Sequence, residues 1–237
     1  MSLTFLDDVE VKLIRNAGGD ESVVQAARVS VEGANEIPAE VLYAGGDKLI
    51  NYLMRKKHGS PFEHNMMTFY VKAPIFVFRE FHRHRVGFSY NEMSGRYTVL
   101  PGEFYIPAAD RKLINVGSSA NPKFEPGTPE QVHGLGYALE TSYTTAWEVY
   151  QLLLQQGIAN EVARLVLPVG IMSQMYVTCN ARSLMNFLSL RTSNENAQFP
   201  SNPQHEIEMV AQKIEVEFAK LFPITHEAFD KLGRVAP

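Results

Sequence analysis

Residues 83–97 of this chain read Arg-His-Arg-Val-Gly-Phe-Ser-Tyr-Asn-Glu-Met-Ser-Gly-Arg-Tyr. The stretch gathers three arginines, a histidine, a carboxylate and two serine hydroxyls around a turn that contains glycine. Guanidinium groups bind phosphate oxygens bidentately, and a Ser-Gly-Arg turn adds hydroxyl and backbone N–H donors to the same anion. The pattern therefore predicts a site for a phosphorylated ligand, with a network of surface salt bridges as the alternative.

The composition of the whole chain narrows the class of that ligand. With 237 residues, 45% of them hydrophobic and 20% charged, the chain suits one large domain, or at most two small ones, with a substantial core. Its formal net charge of -4 argues against a nucleic-acid-binding protein, whose surplus of basic residues would be visible at this level. We therefore expect a local basic pocket for a small phosphorylated molecule, and RNA binding through the arginines is the disfavoured alternative.

Cysteine usage and hydropathy predict a cytoplasmic location. Cys179 is the only cysteine, so no internal disulfide can form and a reducing cytosol is expected. The first residues are acidic and have too short an apolar run for a signal peptide. No apolar stretch approaches the roughly 18–20 residues of a membrane span, so we expect a soluble protein without a membrane partner.

Hydrophobic periodicity and turn residues predict an α+β fold on the N-terminal side of the motif. They indicate a strand over 9–14, a helix over 20–30 capped by Asp20, a helix over 48–57 capped by Asp47, a strand over 66–72 and a helix over 75–83. Pro74 suits the first turn of the last helix, because the N–H that proline lacks is unpaired there. That helix delivers the arginine motif.

The C-terminal side continues the same mixture of elements. The sequence indicates a Gly- and Pro-rich excursion over 101–129, a strand over 172–177, a loop over 194–204, and helices over 130–156, 181–191 and 205–221. It also places Glu161 and Arg164 on a short helix that Pro168 ends, where an ordinary intrahelical ion pair is the simpler interpretation. We see no internal repeat or linker, so one α+β domain is the simplest account.

Arg182 and Asn186 are an arginine and an asparagine inside the largely apolar helix over 181–191. They lie four residues apart and therefore share a helix face. A buried charge without a partner is costly, so this face must meet a partner. Either a ligand or an acid such as Glu161 or Glu195 would serve, and the residues alone leave both open.

Two further candidate sites carry weaker signals. The spacing of His58 and His64 matches no common metal-binding pattern, so we expect no metal. Cys179 could be a nucleophile, but a lone cysteine at the end of a strand is more often a small buried hydrophobe. The glycine-rich phosphate-binding motifs and the Gly-x-Ser-x-Gly elbow are absent from the sequence. Any nucleotide cofactor must therefore bind in another way.

Taken together, the motifs resemble those of one family, the flavin-dependent thymidylate synthases (thymidylate synthase-complementing proteins). The resemblance spans nearly the whole chain. Besides the arginine stretch it includes Ala-Ala-Arg-Val-Ser ending at Ser30, His-Gly-Ser-Pro-Phe-Glu-His from His58, Val-Lys-Ala-Pro-Ile-Phe-Val before the arginines, Glu-Val-Ala-Arg ending at Arg164, and Asn-Ala-Arg-Ser-Leu-Met-Asn-Phe-Leu from Asn180. Several long motifs in the same order make chance similarity implausible.

This resemblance implies a fold and a reaction. The expected fold is a single α+β domain over 1–237, with a central, mainly antiparallel sheet flanked by helices. The expected reaction is the reductive methylation of dUMP to dTMP. It would use 5,10-methylenetetrahydrofolate as carbon donor, FAD as cofactor, NADPH as reductant and no cysteine nucleophile. Relatives are homotetramers with active sites between subunits, so the same assembly is implied here.

The resemblance also implies roles for individual residues. Arg191 would be catalytic, because its charge would favour ionisation of the uracil ring. The dUMP site would comprise Glu80, Phe81, His82, Arg83, Glu92, Met93, Ser94, Gly95, Arg96, Arg164 and Arg191. The FAD site would comprise Ser60, Arg83, His84, Arg85, Glu92, Asn180, Ala181, Arg182 and Asn186. His58 would lie on the folate side, and no metal is implied.

Two features depart from the family pattern. Eight residues separate Arg85 from Ser94, one more than is usual, and glycine allows the extra residue to lie in the turn over 86–88. Glu80 stands where some relatives carry glutamine. The longer turn supports a rival hypothesis, a nucleotide-binding regulator that keeps the arginine site but performs no turnover.

Overall fold

The computed structural model describes residues 3–33, 45–119 and 121–237. Its contacts divide the chain into two compact units, which are described separately. The first unit comprises residues 1–10, 72–82 and 92–175. The second comprises residues 11–71, 83–91 and 176–237. The single functional domain implied by the resemblance stays a prediction.

Aromatic side chains form the core of the first unit. They come from one long helix, α4 (Pro129–Gln155), and from the chain that precedes it, and the main ones are Phe104, Tyr143, Trp147 and Tyr150. The rings of Phe104 and Tyr143 stack at 4.8 Å, and the Tyr150 hydroxyl accepts a hydrogen bond from the Leu100 amide. Burying such rings is the largest apolar contribution that single side chains make to a core.

The helices and strands of this unit match those predicted from the sequence, with some differences. They are β1 (Thr4–Leu6), α3 (Ile75–Phe81), β5 (Glu103–Tyr105), β6 (Lys112–Asn115), β7 (Phe124–Pro126), α4 (Pro129–Gln155), α5 (Asn160–Ala163) and a 3-10 turn (Arg164–Val166). Strands β1 and β5 pair in parallel, and β6 and β7 pair antiparallel. The three strands inside the predicted excursion were not foreseen, because they are short and lie among Gly and Pro residues that indicate turns.

The second unit contains most of a four-stranded sheet and the helices that cover it. The sheet has the order β2 (Glu10–Ala17), β3 (Met66–Pro74), β8 (Met172–Cys179) and β4 (Phe88–Glu92). The helices are α1 (Asp20–Glu32), α2 (Gly46–Arg55), a 3-10 turn (Ser60–Glu63), α6 (Ala181–Arg191), α7 (His205–Leu221) and α8 (Pro223–Lys231). Both units combine helices with strands, so the predicted α+β class is confirmed. The predicted helices over 181–191 and 205–221 are confirmed at both ends.

Two predicted helix caps are wrong. Helix α1 has Gly19 at its N-cap with no side-chain hydrogen bond, and α2 begins at Gly46, one residue before Asp47. The Asp20 carboxylate instead caps helix α8, which the sequence analysis missed. It accepts hydrogen bonds from the amides of Ile224 (2.7 Å) and Thr225 (3.0 Å). Local sequence cannot distinguish the two, because a carboxylate caps whichever helix start the folded chain brings to it.

No helix within the described ranges is long and apolar enough to cross a membrane.

Candidate functional site

An open cleft in the second unit collects most of the predicted cofactor residues. Its volume is about 380 Å³. It is lined by Glu63, Arg83, His84, Arg85, Val86, Phe88, Arg182, Ser183 and Asn186. Three of these are arginines, and the single carboxylate among the lining residues leaves a surplus of positive charge. Such a lining suits the pyrophosphate of a dinucleotide, because guanidinium groups bind phosphate oxygens in pairs.

The turn that carries the arginines is held by aromatic packing. Helix α3 ends at Phe81 rather than at the predicted residue 83, so the arginines lie beyond it in non-helical chain. The Tyr90 hydroxyl donates a hydrogen bond to the His84 carbonyl at 2.7 Å. The rings of Phe88 and Tyr90 stack with an interplanar angle of 9°, and Phe88 also packs against Phe187 of α6. The turn is therefore anchored at its far end by strand β4.

Gly87 explains how the lengthened turn is accommodated. Its φ of 69° lies in the left-handed region, which glycine enters without steric cost. A Cβ at this position would overlap the Ser183 hydroxyl and lie 3.0 Å from Asn180 Nδ2. This geometry supports the prediction that the extra residue lies between 86 and 88.

His84 and Arg191 form the central pair of the site. Burial, reinforced by the Arg191 charge, lowers the pKa of His84 to about 4. The Arg191 Nε donates a hydrogen bond to His84 Nε2 at 3.1 Å. The imidazole is therefore neutral at pH 7, with its proton on Nδ1. A neutral acceptor can orient the guanidinium of Arg191 without repelling it.

Helix α6 places its polar residues on the cleft. Leu184, Phe187 and Leu188 are fully buried or nearly so, whereas the Arg182 side chain is 40% exposed and Asn186 is exposed. The prediction that both polar residues lie inside a buried helix is wrong for these two side chains, which face outward. The four-residue spacing shows that the two side chains share a helix face, but it does not show whether the rest of the protein buries that face.

Arg182 has an acidic partner, which the sequence analysis did not identify. Its Nη1 donates to Glu63 at 2.6 Å, and its Nε donates to the Pro237 carbonyl at 2.8 Å. A Cβ on Gly59 would overlap the guanidinium, so glycine there lets Arg182 pass over the loop. The partner is therefore neither Glu161 nor Glu195. Glu63 belongs to the motif that starts at His58, and its place in that motif is the feature of the sequence that could have identified it as the partner of Arg182.

The other predicted cofactor residues have structural roles of their own. Asn180 is the N-cap of α6, and its Oδ1 accepts from the Ser183 amide at 2.9 Å. The Ala181 amide donates to Asn65 Oδ1 at 2.8 Å. Ser60 is exposed at the start of its 3-10 turn, so its hydroxyl is accessible to a ligand. His58 is also exposed and meets Tyr52 edge-to-face.

The first unit brings together the predicted phosphate residues of the substrate site. The Ser94 hydroxyl accepts from the Arg96 amide at 3.3 Å. A Cβ on Gly95 would lie 3.2 Å from Arg164 Cδ, so glycine lets Arg164 approach this turn closely. Arg96 pairs with Glu161 at 3.0 Å. The predicted intrahelical pair between Glu161 and Arg164 is therefore wrong, since Glu161 reaches across to Arg96.

The remaining predicted substrate residues differ in accessibility. Glu92 accepts a hydrogen bond from the Ser173 hydroxyl at 2.8 Å, which holds its carboxylate at the end of β4. Phe81 is fully buried, Glu80 and Met93 are half-buried, and His82 is exposed. A ligand can therefore reach Glu80 and His82 more readily than Phe81.

Replacing Cys179 by alanine should leave turnover intact. The thiol is buried, and burial raises its pKa to about 12, so the nucleophilic thiolate is scarce at neutral pH. We expect kcat within about twofold of wild type and a loss of about 1 kcal/mol in unfolding free energy from the removed sulfur. Steady-state product formation together with a denaturant melt measures both, and abolished turnover in a folded variant would restore the nucleophile hypothesis.

The chain is similar to known proteins over nearly its whole length. Residues 12–224 match the family model described as thymidylate synthase complementing protein. A flavin-dependent thymidylate synthase of Streptomyces coelicolor is 56% identical over 97% of this chain and 94% of that protein. One of Tropheryma whipplei strain TW08/27 is 51% identical over 100% of this chain and 98% of that protein.

Solved structures give the same result. The crystal structure of a UMP/dUMP methylase, PolB from Streptomyces cacaoi bound with 5-Br UMP, superposes with a TM-score of 0.91 at 46% identity. The match covers 100% of both chains. Sequence motifs, cleft geometry and these likenesses converge, and the chain belongs to the thymidylate synthase complementing protein family, the flavin-dependent thymidylate synthases.

Proposed function

We propose that this chain converts dUMP to dTMP by reductive methylation at C5 of the uracil ring. The carbon comes from 5,10-methylenetetrahydrofolate and the reducing equivalents come from NADPH through FAD. The observation that carries the proposal is the cleft lined by three arginines, with neutral His84 in contact with Arg191. No step requires a cysteine nucleophile, in keeping with the buried, protonated Cys179.

The residues of the cleft fit FAD as the flavin. Arg83, Arg85 and Arg182 supply charged donors to a pyrophosphate, and Asn186 supplies an exposed amide beside them. When bound, FAD would store two electrons and deliver them as hydride. The protein contributes binding and orientation. Arg182 pairs with Glu63, and we infer that this pair limits the movement of the guanidinium.

The substrate residues divide into two tasks. In the first unit, Ser94, Arg96 and Arg164 provide hydroxyl and guanidinium donors for the phosphate of dUMP. In the second unit, Arg191 provides the positive charge that stabilises the anion which develops on the uracil ring. Because His84 is neutral, this charge is not cancelled by its nearest neighbour.

We further propose that the chain has a mainly antiparallel central sheet. We also propose that it forms a homotetramer in which active sites are shared between subunits. In the first unit, exposed apolar side chains concentrate after residue 148, and they include Leu152 (51% exposed), Val162 (50%) and Leu165 (78%). Such a concentration of exposed apolar surface is typical of protein interfaces. Light scattering coupled to size-exclusion chromatography should give four times the chain mass of 26.6 kDa.

The solved PolB structures support a second candidate substrate. They describe a UMP/dUMP methylase, crystallised with the 5-bromo derivative of either UMP or dUMP. We therefore propose to compare UMP with dUMP at equal concentration. The discriminating quantity is the ratio of kcat/KM values, because each 1.4 kcal/mol of differential transition-state binding changes it tenfold.

The direct test is dTMP formation by the purified protein given dUMP, 5,10-methylenetetrahydrofolate and NADPH under low oxygen, with and without added FAD. FAD-dependent product is expected. If the folded protein binds dUMP and flavin but makes no product, the regulator hypothesis replaces the synthase. Flavin that NADPH reduces, and that reoxidises only with folate and dUMP present, would independently argue against the regulator.

A further inference from the structure

A partly buried charge network lies beside the C-terminal end of α6, outside the cleft. It consists of Glu215 of α7, His226 and Asp230 of α8, and Arg234, which follows α8; we call it the C-terminal charge network. The carboxylates and the imidazole lie close enough to hold a metal ion. The guanidinium of Arg234, with only 5% of its side chain exposed, instead pairs with both carboxylates. The cluster is therefore satisfied by Arg234.

Arg234 links this network to α6. Its Nη1 and Nη2 contact the two oxygens of Glu215 at 2.8 and 2.9 Å. The same Nη2 donates to the Thr192 hydroxyl at 2.9 Å. Thr192 is buried, and its hydroxyl in turn donates to the Leu188 carbonyl at 2.7 Å. Both terminal nitrogens of the Arg234 guanidinium are thus engaged, and its planar fork holds Glu215 and Thr192 in a fixed arrangement at the end of the helix.

The contact between Arg234 and Thr192 lies one residue from Arg191, which forms the central pair of the site with His84. Thr192 is the C-cap of α6 and follows Arg191 directly. Other contacts hold the same segment, since Ser201 donates to the Leu190 carbonyl and the Ser193 amide donates to Glu208. The backbone on both sides of Arg191 is thus fixed by contacts that do not touch the cleft.

We propose that Arg234 is a positioning residue for Arg191, acting through Thr192. The role rests on the proposed function, because it matters only if Arg191 must meet the reacting ring in one geometry. A displacement of about 1 Å in a catalytic group can cost about 100-fold in rate. The C-terminal charge network supplies the rigidity that prevents such a displacement.

The test compares Thr192→Val with Thr192→Ser. Valine keeps the shape of the side chain but removes both the acceptor for Arg234 and the donor to the Leu188 carbonyl, while the pairing of Arg234 with Glu215 persists. We expect Thr192→Val to lower kcat about tenfold with KM for dUMP and flavin content within about twofold of wild type. Thr192→Ser, which retains the hydroxyl, should restore kcat to within about threefold of wild type. Equal kcat values in the two variants would overturn the proposal, as would a loss of kcat that only follows loss of bound flavin.

A second readout does not depend on turnover. Withdrawal of Arg191 removes one of the two causes that lower the pKa of His84. An NMR titration of His84 in Thr192→Val should therefore give a higher pKa than in Thr192→Ser. If wild-type protein makes no dTMP, the proposed function fails, while this titration still tests the positional link. An unchanged His84 pKa in Thr192→Val would overturn that link.

Discussion

Replacing Arg191 by alanine should reduce dTMP formation by about 10- to 150-fold. The variant would lose the charge-assisted contact to the substrate that we propose for Arg191, and such a contact is worth about 1.5–3 kcal/mol. The loss will be larger if the contact strengthens in the transition state. The measurement is kcat/KM for dUMP at saturating folate and NADPH. It should be accompanied by flavin content, because Arg191 does not line the cofactor cleft.

Arg191→Lys is the matched control for this prediction. Lysine retains the positive charge but not the planar fork, so partial activity is expected. In Arg191→Ala the pKa of His84 should also rise above about 4, since burial alone then lowers it. If dTMP formation falls in Arg191→Lys and falls further in Arg191→Ala, the result supports the role proposed for Arg191. Near-wild-type dTMP formation by the alanine variant would rule it out.

Replacing Gly87 by alanine should disrupt the arginine turn and flavin binding together. The residue has a φ of 69°, where a side chain costs about 1–2 kcal/mol. The added methyl would also overlap the Ser183 hydroxyl, and Ser183 is buried at the start of α6. We expect a total loss of about 2–4 kcal/mol in unfolding free energy. We expect flavin affinity about tenfold weaker or more, because residues on both sides of the overlap line the cleft.

Gly157→Ala separates the two contributions. Gly157 has a φ of 80°, yet a Cβ there would meet no atom within 4 Å. Its substitution should therefore cost only the backbone term, about 1–2 kcal/mol, and leave flavin affinity unchanged. Chemical denaturation and fluorescence titration with FAD measure both quantities. Equal effects of the two substitutions on flavin affinity would show that the Ser183 overlap does not matter.

Much of the fold could be predicted because the governing signals are local. Helices α6 and α7 begin and end where the periodicity and the flanking polar residues indicate. Helix α8 was missed because Phe222 and Pro223 follow α7 directly, and a proline there indicates a break as readily as a new start. The three short strands between 103 and 126 give no periodic signal over so few residues.

The candidate site could also be predicted only in part. The family resemblance predicted five of the residues that line the cleft, namely Arg83, His84, Arg85, Arg182 and Asn186. It did not predict the partners of the charged residues. Glu63 lies 119 residues from Arg182, and Glu161 lies 65 residues from Arg96. The pairing of charges depends on distances of a few ångströms, which follow from the path of the whole chain.

The sequence by itself thus determined the family, the α+β class and the arginine chemistry, because these rest on residue types and short spacings. Only the tertiary structure decided that Asp20 caps α8 rather than α1. It also decided that His84 is neutral beside Arg191, and that Arg234 holds the end of α6. These features arise from burial and from contacts between distant segments. The contributions of burial and of long-range contacts cannot be read from a short stretch of sequence. A polar group needs a hydrogen-bonding partner only once folding has removed water from it.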